Sequence, residues 1–169
     1  MVHKSKGLED LAKAVIDIEE ASLTVIGSGP YLEELEEFVV ENNLEHRVDL
    51  RGKVEHSKVL EMLTNFDIFV LPSRRVEGFP MTLVEAMFAG LPIIGSDMGG
   101  VPEAIEPEDT GFVIESGNIE QLKDKMNYLI SNAQERQKMS KNARKKAEKE
   151  FTIQKMVDSY EKVIKEVVK

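Results

Sequence analysis

Leu23-Thr24-Val25-Ile26-Gly27-Ser28-Gly29-Pro30 is the stretch that decides the fold of this chain. Four residues suited to a strand run into a turn with two glycines. Tyr31 to Asn43 then places Leu32, Leu35, Phe38 and Val39, with Leu44 just beyond, on a helical stripe opposite a face of glutamates. A strand, a glycine turn and an amphipathic helix in direct succession form the repeating unit of an α/β sheet.

Reading outward toward the C-terminus, the alternation recurs. Arg47 to Arg51 predicts a second strand and Val59 to Phe66 a second helix. Asp67-Ile68-Phe69-Val70-Leu71, closed by Pro72, is a continuous apolar run and predicts a strand buried on both faces. Thr82 to Ala89 reads as a helix stopped by Gly90, with Pro92 shortly after. Pro92 to Ser96 and Gly111 to Ile114 complete the strands. The expectation is an α/β, doubly wound, mostly parallel, Rossmann-like sheet of about five strands, with helices on both faces and a helical C-terminus. Ligands of such sheets sit beyond the carboxyl ends of the strands. That directs attention to Gly27–Gly29, Gly52–Val54, Ser73–Pro80 and Ser96–Pro102.

From Asn118 onward the pattern is helical. Arg136, Lys138, Lys141, Arg144, Lys145, Lys146 and Lys149 form a basic run, read as a solvated helix face because no aromatic residue interleaves to stack a base. Toward the N-terminus, helix-like sequence (Leu8, Leu11, Ala12, Val15, Ile16) begins almost at Met1 with no strand ahead of it. A doubly wound domain ordinarily opens on a strand. Residues 1–169 are therefore expected to form one domain that is a piece of a larger protein, lacking its first strand.

The 169 residues include 22 Lys and Arg against 31 Asp and Glu, a formal charge of −9, which argues against a nucleic-acid partner. The apolar share of 41% is an ordinary globular balance and excludes wholesale disorder. With no cysteine, a disulfide framework, a thiolate metal site and a cysteine nucleophile are all excluded. Neither a signal peptide nor a membrane-spanning run is evident, so the expectation is a soluble, cytoplasmic protein.

Three segments could carry chemistry. Gly27-Ser28-Gly29-Pro30 joins strand to helix, where free N–H groups and the helix dipole favour an anion. Two readings stand open there, a ligand contact and a tight turn with permissive glycines. Glu77-Gly78-Phe79-Pro80-Met81-Thr82-Leu83-Val84-Glu85 places two carboxylates across a loop-to-helix junction, with Pro80 at the helix start. Free N–H groups around Met81, Thr82 and Leu83 could hold a diphosphate, flanked by Glu77 and Glu85. Glutamate in a first helical turn is also stabilising by itself. As groups at a cleft mouth, neither carboxylate is expected to matter for folding. Lys6, at the head of the first helix, is either a phosphate ligand or a solvated lysine. Gly99 and Gly100 permit a close backbone approach, to a ligand or within a turn. His3, His46 and His56 show no metal-ligand spacing, and surface or capping roles are expected.

The ordered set of motifs resembles a known family. Lys6-Gly7, Gly27-Ser28-Gly29-Pro30, Arg47-Val48 through Gly52 and Asp67 through Ser73 come first. Glu77-Gly78-Phe79-Pro80 to Glu85-Ala86-Met87, Gly90-Leu91-Pro92, Gly99 to Glu103, Gly111-Phe112 and Phe151-Thr152 follow in order. Over essentially the whole chain they resemble the C-terminal, nucleotide-sugar-binding domain of group 1 (family 4) retaining glycosyltransferases of the two-domain GT-B fold. The resemblance implies transfer of a hexosyl group from a nucleoside-diphosphate sugar, without a metal or other cofactor. It implies that Glu77 meets the transferred sugar, with the backbone of Gly78 and Phe79 beside it, and that Glu85 binds the ribose. Thr82 and Leu83 N–H groups with the Lys6 ammonium would hold the diphosphate. Lys53 and Val54 would border the base, and Gly27 and Gly29 the floor of the donor site. The implied partners are the sugar-nucleotide donor and an N-terminal acceptor-binding domain of the parent protein, whose peripheral association with a membrane the resemblance allows. An arginine that the family carries six residues before the Lys6 position would fall just before Met1. Two alternatives remain: a non-catalytic nucleotide-binding or interaction module, and a glycoside hydrolase. The second is weakened by zero Trp and three Tyr, which leave little to stack a sugar.

Overall fold

Ile93 and Ile94 show how the two faces of the molecule divide. Successive strand residues point to opposite faces. Ile93 packs with Leu83, Met87, Leu91, Val101, Ile105, Ala143 and Ala147, whereas Ile94 packs with Leu11, Val15, Ile18, Leu122, Met126 and Leu129. Both are fully buried, as is all of their strand. The computed structural model describes residues 1–168. Its strands are β1 (Leu23–Val25), β2 (Val48–Leu50), β3 (Phe69–Leu71), β4 (Ile93–Ser96) and β5 (Gly111–Ile114). Its helices are α1 (Leu8–Ile16), α2 (Leu32–Glu41), α3 (His56–Leu63), α4 (Met81–Phe88), α5 (Val101–Ala104), α6 (Ile119–Ser131), α7 (Ala133–Glu150) and α8 (Ile153–Val167), preceded by a 3-10 turn at Lys4–Lys6. Helices α1 and α6 cover one face of β4, and α4, α5 and α7 the other. This is the doubly wound, parallel, Rossmann-like architecture with a helical C-terminus.

Three expectations need correction. The strands form two parallel sheets, β1-β2 and β3-β4-β5, rather than one. Ile68, Phe69 and Val70 are only half-buried, because β3 pairs with β4 along one edge and, among the described residues, with no strand along the other. The helix expected at Val59 to Phe66 is α3, which spans His56–Leu63. Its first turn is polar and exposed, so the apolar periodicity picked up only its inner portion.

Helix α7 turns Met139, Ala143 and Ala147, each four residues apart, onto the core. Lys138, Lys141, Arg144, Lys145 and Lys149 are exposed, as a solvated face should be, but Arg136 folds back onto the Leu129 and Ile130 carbonyls and Lys146 is held by Glu106 and Glu150, so these two depart from that expectation. Thr152 caps α8 by accepting the Lys155 N–H at 3.3 Å. On α8, Ile153, Met156, Tyr160, Val163, Ile164 and Val167 form an apolar stripe that is exposed throughout. No helix among the described residues is long and apolar enough to cross a membrane.

Candidate functional site

All described strand pairs are parallel, so the loops after each strand gather at one end of the molecule. The loop after β3 and the loop after β4 are locked backbone to backbone. Glu77 forms a parallel bridge with Gly99, and the Gly100 N–H donates to the Glu77 carbonyl at 2.9 Å. A methyl group at Gly99 would lie 2.1 Å from the Glu77 carbonyl oxygen, and one at Gly100 would lie 1.8 Å from that of Gly78. The paired glycines therefore admit the neighbouring loop, and Gly99, at φ +61°, also needs the left-handed conformation.

That apposition fixes Glu77, which is 7% exposed. Its Oε1 accepts from Lys6 Nζ at 2.7 Å and from Ser73 Oγ at 2.7 Å, with Arg75 Nε at 3.4 Å. Ser73 is held in turn, its carbonyl accepting from the Ser96 hydroxyl at 2.7 Å and the Ser116 hydroxyl at 3.1 Å. Burial by itself would raise the Glu77 pKa. The Lys6 and Ser73 hydrogen bonds and the Lys6 and Arg75 charges outweigh it and hold the carboxyl below its ordinary value. The premise that Glu77 stands at a cleft mouth with no buried partner is corrected: the carboxylate is itself buried and holds the part-buried Lys6 ammonium and the buried Ser73 hydroxyl. Lys6 itself is neither a solvated lysine nor a free phosphate ligand in this state.

Helix α4 starts at Met81 with Pro80 before it and no side-chain cap. The Leu83 N–H already donates to the Pro80 carbonyl at 3.0 Å, which takes it out of the expected donor pair, while the Met81 and Thr82 N–H groups have no backbone acceptor among the described residues. Glu85 sits one turn further along, and its Oε1 meets His56 Nε2 at 2.9 Å. The three histidines thus differ. His3 caps the 3-10 turn, accepting the Ser5 N–H, and His46 is exposed. His56 reaches across from the start of α3 to Glu85, which nothing in the sequence indicated. Glu77 and Glu85 hold separate partners and share none.

The remaining positions frame this end. The Gly27 N–H donates to the Gly52 carbonyl at 2.7 Å, tying the β1 and β2 loops together. Lys53 is exposed and Val54 half-buried in the turn that follows. A methyl group at Gly29 would lie 2.0 Å from the Val2 carbonyl oxygen, so the N-terminal segment, not a ligand, claims the space beside it. Gly78 has open space where a side chain would stand. The Phe79 ring meets Phe151 edge-on, with centroids 5.2 Å apart. Sequence reading missed one further contact. Arg74 donates to both carboxylate oxygens of Asp10 at 2.6 Å, and Asp10 is 4% exposed. This bidentate pair clamps the Glu77 loop onto α1.

The family "Glycosyl transferases group 1" matches residues 2–146. The N-acetyl-alpha-D-glucosaminyl L-malate synthase of Bacillus anthracis is 31% identical over 169 residues, covering 98% of this chain and 44% of the synthase. Among solved structures, sucrose-phosphate synthase from Thermosynechococcus elongatus superposes with a TM-score of 0.89 at 24% identity, over 98% of this chain and 43% of that one. Anabaena HepE in complex with UDP-glucose gives a TM-score of 0.89 at 23% identity, over 98% of this chain and 46% of that one. The chain thus spans less than half the length of each. The matched profile, a relative of that identity and the shared fold together place the chain in the group 1 glycosyl transferase family.

Proposed function

We propose that the chain is the donor-binding domain of a retaining glycosyltransferase that moves a hexosyl group from a nucleoside-diphosphate sugar to an acceptor held by a separate N-terminal domain. The observation that carries this reading is the convergence, at the carboxyl end of β3, of the Lys6 ammonium, the Glu77 carboxylate and the uncapped start of α4. A cation and free helix-end N–H groups suit a diphosphate, and a carboxylate suits sugar hydroxyls. HepE, which shares the fold, was solved with UDP-glucose bound. On this reading Lys6 exchanges Glu77 for the diphosphate when donor binds, which frees Glu77 Oε1 for the sugar. Glu85 then exchanges His56 for the ribose diol. The charge that develops on the departing diphosphate is met by Lys6 and by the Met81 and Thr82 N–H groups, so the reading needs no metal and no cofactor. The acceptor domain is supported by the fraction of the relatives that this chain spans, and by the uncovered apolar stripe of α8.

Calorimetric titration with UDP, GDP and ADP, combined with amide shift mapping, tests the reading. Weak binding is expected, with shifts at Thr82, Leu83, Glu85 and the Gly27–Gly29 turn, and unchanged in the presence of a chelator. No heat and no shifts at millimolar nucleotide would overturn it.

A further inference from the structure

Ser73-Arg74-Arg75-Val76-Glu77 sets two arginines side by side in the loop after β3, and the fold gives them different surroundings. Arg74 is committed, since its guanidinium donates to both carboxylate oxygens of Asp10. Arg75 is not. Its side chain is half-exposed, and the carboxylate it meets is that of Glu77, with Nε 3.4 Å from Oε1. At that distance the two form an ion pair without a close hydrogen bond. Glu77 therefore has two cations, Lys6 bonded at 2.7 Å and Arg75 standing off. No other cation pairs with its carboxylate among the described residues.

The donor-site reading asks Lys6 to turn from Glu77 to a diphosphate. A flexible four-carbon stem permits that move, and no second carboxylate holds the ammonium among the described residues. Glu77 cannot follow. Its backbone is bridged to Gly99, and its carbonyl accepts the Gly100 N–H. The Ser73 hydroxyl and a sugar hydroxyl can supply hydrogen bonds to the carboxylate, but neither brings charge. A buried carboxylate left with neutral donors alone either takes up a proton or resists the loss of its cation. The neighbouring elements offer no substitute. Arg74 is held by Asp10 of α1 and His56 by Glu85 of α4, while the Asp97 carboxylate accepts the Ser116 N–H. Gly99 and Gly100 bring no side chain at all.

We propose that Arg75 is a positioning residue for donor binding, becoming the counter-ion of Glu77 when the Lys6 ammonium moves to the diphosphate. A small rotation of a half-exposed side chain turns the ion pair into a charge-assisted hydrogen bond of about 2.7–2.9 Å. Glu77 then stays ionised, keeps Ser73 on Oε1, and accepts a sugar hydroxyl where Lys6 had been. The two cations act in turn, Lys6 in the free protein and Arg75 in the liganded one. This inference deepens the donor-site reading and rests on it.

The test compares Arg75→Ala and Arg75→Lys with the parent 169-residue chain, using whichever of UDP, GDP and ADP the parent binds best. Affinity is read from amide shifts between about pH 8 and about pH 5.5. Proton uptake is read by calorimetry in two buffers of different ionisation enthalpy. Arg75→Ala should weaken binding roughly three- to tenfold at the alkaline end and take up part of a proton per nucleotide bound, because burial of Glu77 then goes unopposed. A step that takes up a proton is favoured by acid, so this deficit against the parent should narrow as pH falls. Taking the ratio to the parent cancels the titration of the nucleotide phosphate and of His56. Arg75→Lys keeps the charge and should restore both affinity and the absence of proton uptake. Equal affinity of parent and Arg75→Ala at every pH overturns the proposal and leaves the donor-site reading standing. A deficit that is constant with pH and takes up no proton also overturns it, since Arg75 would then touch the nucleotide itself. If the parent binds none of the three nucleotides, the donor-site reading falls and this inference with it.

Discussion

Glu77 illustrates how much one carboxylate can be asked to do. Its lowered pKa means that the folded state favours its charged form, so it adds stability above the ordinary carboxylate pKa and loses that contribution as pH falls through the lowered value. Glu77→Gln should cost about 1–3 kcal/mol at pH 7, because Lys6 and Ser73 lose a charged acceptor. The gap between parent and variant should narrow steadily below about pH 4.5. Thermal melts of both proteins at pH 7 and in acid read this directly, and a pH-independent gap would detach the effect from the carboxylate charge. Glu85 is different, being partly exposed and bonded to an exposed histidine. Glu85→Gln should leave the melting temperature within a degree or two and weaken nucleoside diphosphate binding roughly ten- to a hundredfold, the loss of one charge-assisted hydrogen bond. Titration calorimetry of the two variants side by side separates a carboxylate that holds the fold from one proposed to bind the ribose.

At the scale of elements, the site depends on two loops meeting without side chains between them. Gly100→Ala would set a methyl group 1.8 Å from the Gly78 carbonyl oxygen, and that contact is backbone on both sides. The loops would have to part, and the Glu77 partners with them. A loss of about 2–4 kcal/mol in denaturant unfolding is expected, with the Glu77 loop amides exchanging faster than the core. Gly78→Ala, at the residue that follows Glu77 and facing open space, should be nearly neutral in the same measurement. The sequence displayed the glycines in both loops but not which of them touch. Helix and strand identities were legible because each rests on local periodicity. The limits of α3 were not, because its first turn is polar and is set by where the chain leaves β2.

For the molecule as a whole, the proposed donor site lies on one domain, and glycosyl transfer needs an acceptor held against the donor. Orientation supplies much of any two-substrate rate enhancement. The purified 169-residue chain should therefore bind nucleotide but show no sugar transfer above background to added acceptors, as measured by release of nucleoside diphosphate from a panel of sugar nucleotides. Efficient transfer without a partner protein would contradict the two-domain reading. The exposed stripe on α8 belongs to the same scale. It is an amphipathic helix whose periodicity is complete in the sequence, and whose apolar face is exposed in this structure.

The sequence by itself determined the alternation of strands and helices, the parallel α/β class and the family, because hydrophobic period, turn residues and motif order are local properties carried within a few residues of one another. Only the tertiary structure decided the partners. Lys6 and Glu77 lie 71 residues apart, Asp10 and Arg74 lie 64 apart, and His56 and Glu85 lie 29 apart. Each pair is brought together by the parallel crossovers that gather successive loops at one end of the sheet. That β3 pairs along one edge only was equally hidden in its apolar run. An apolar run of four or five residues reads the same whether one or both of its backbone edges are paired, since pairing is made by a neighbouring strand and not by the run itself.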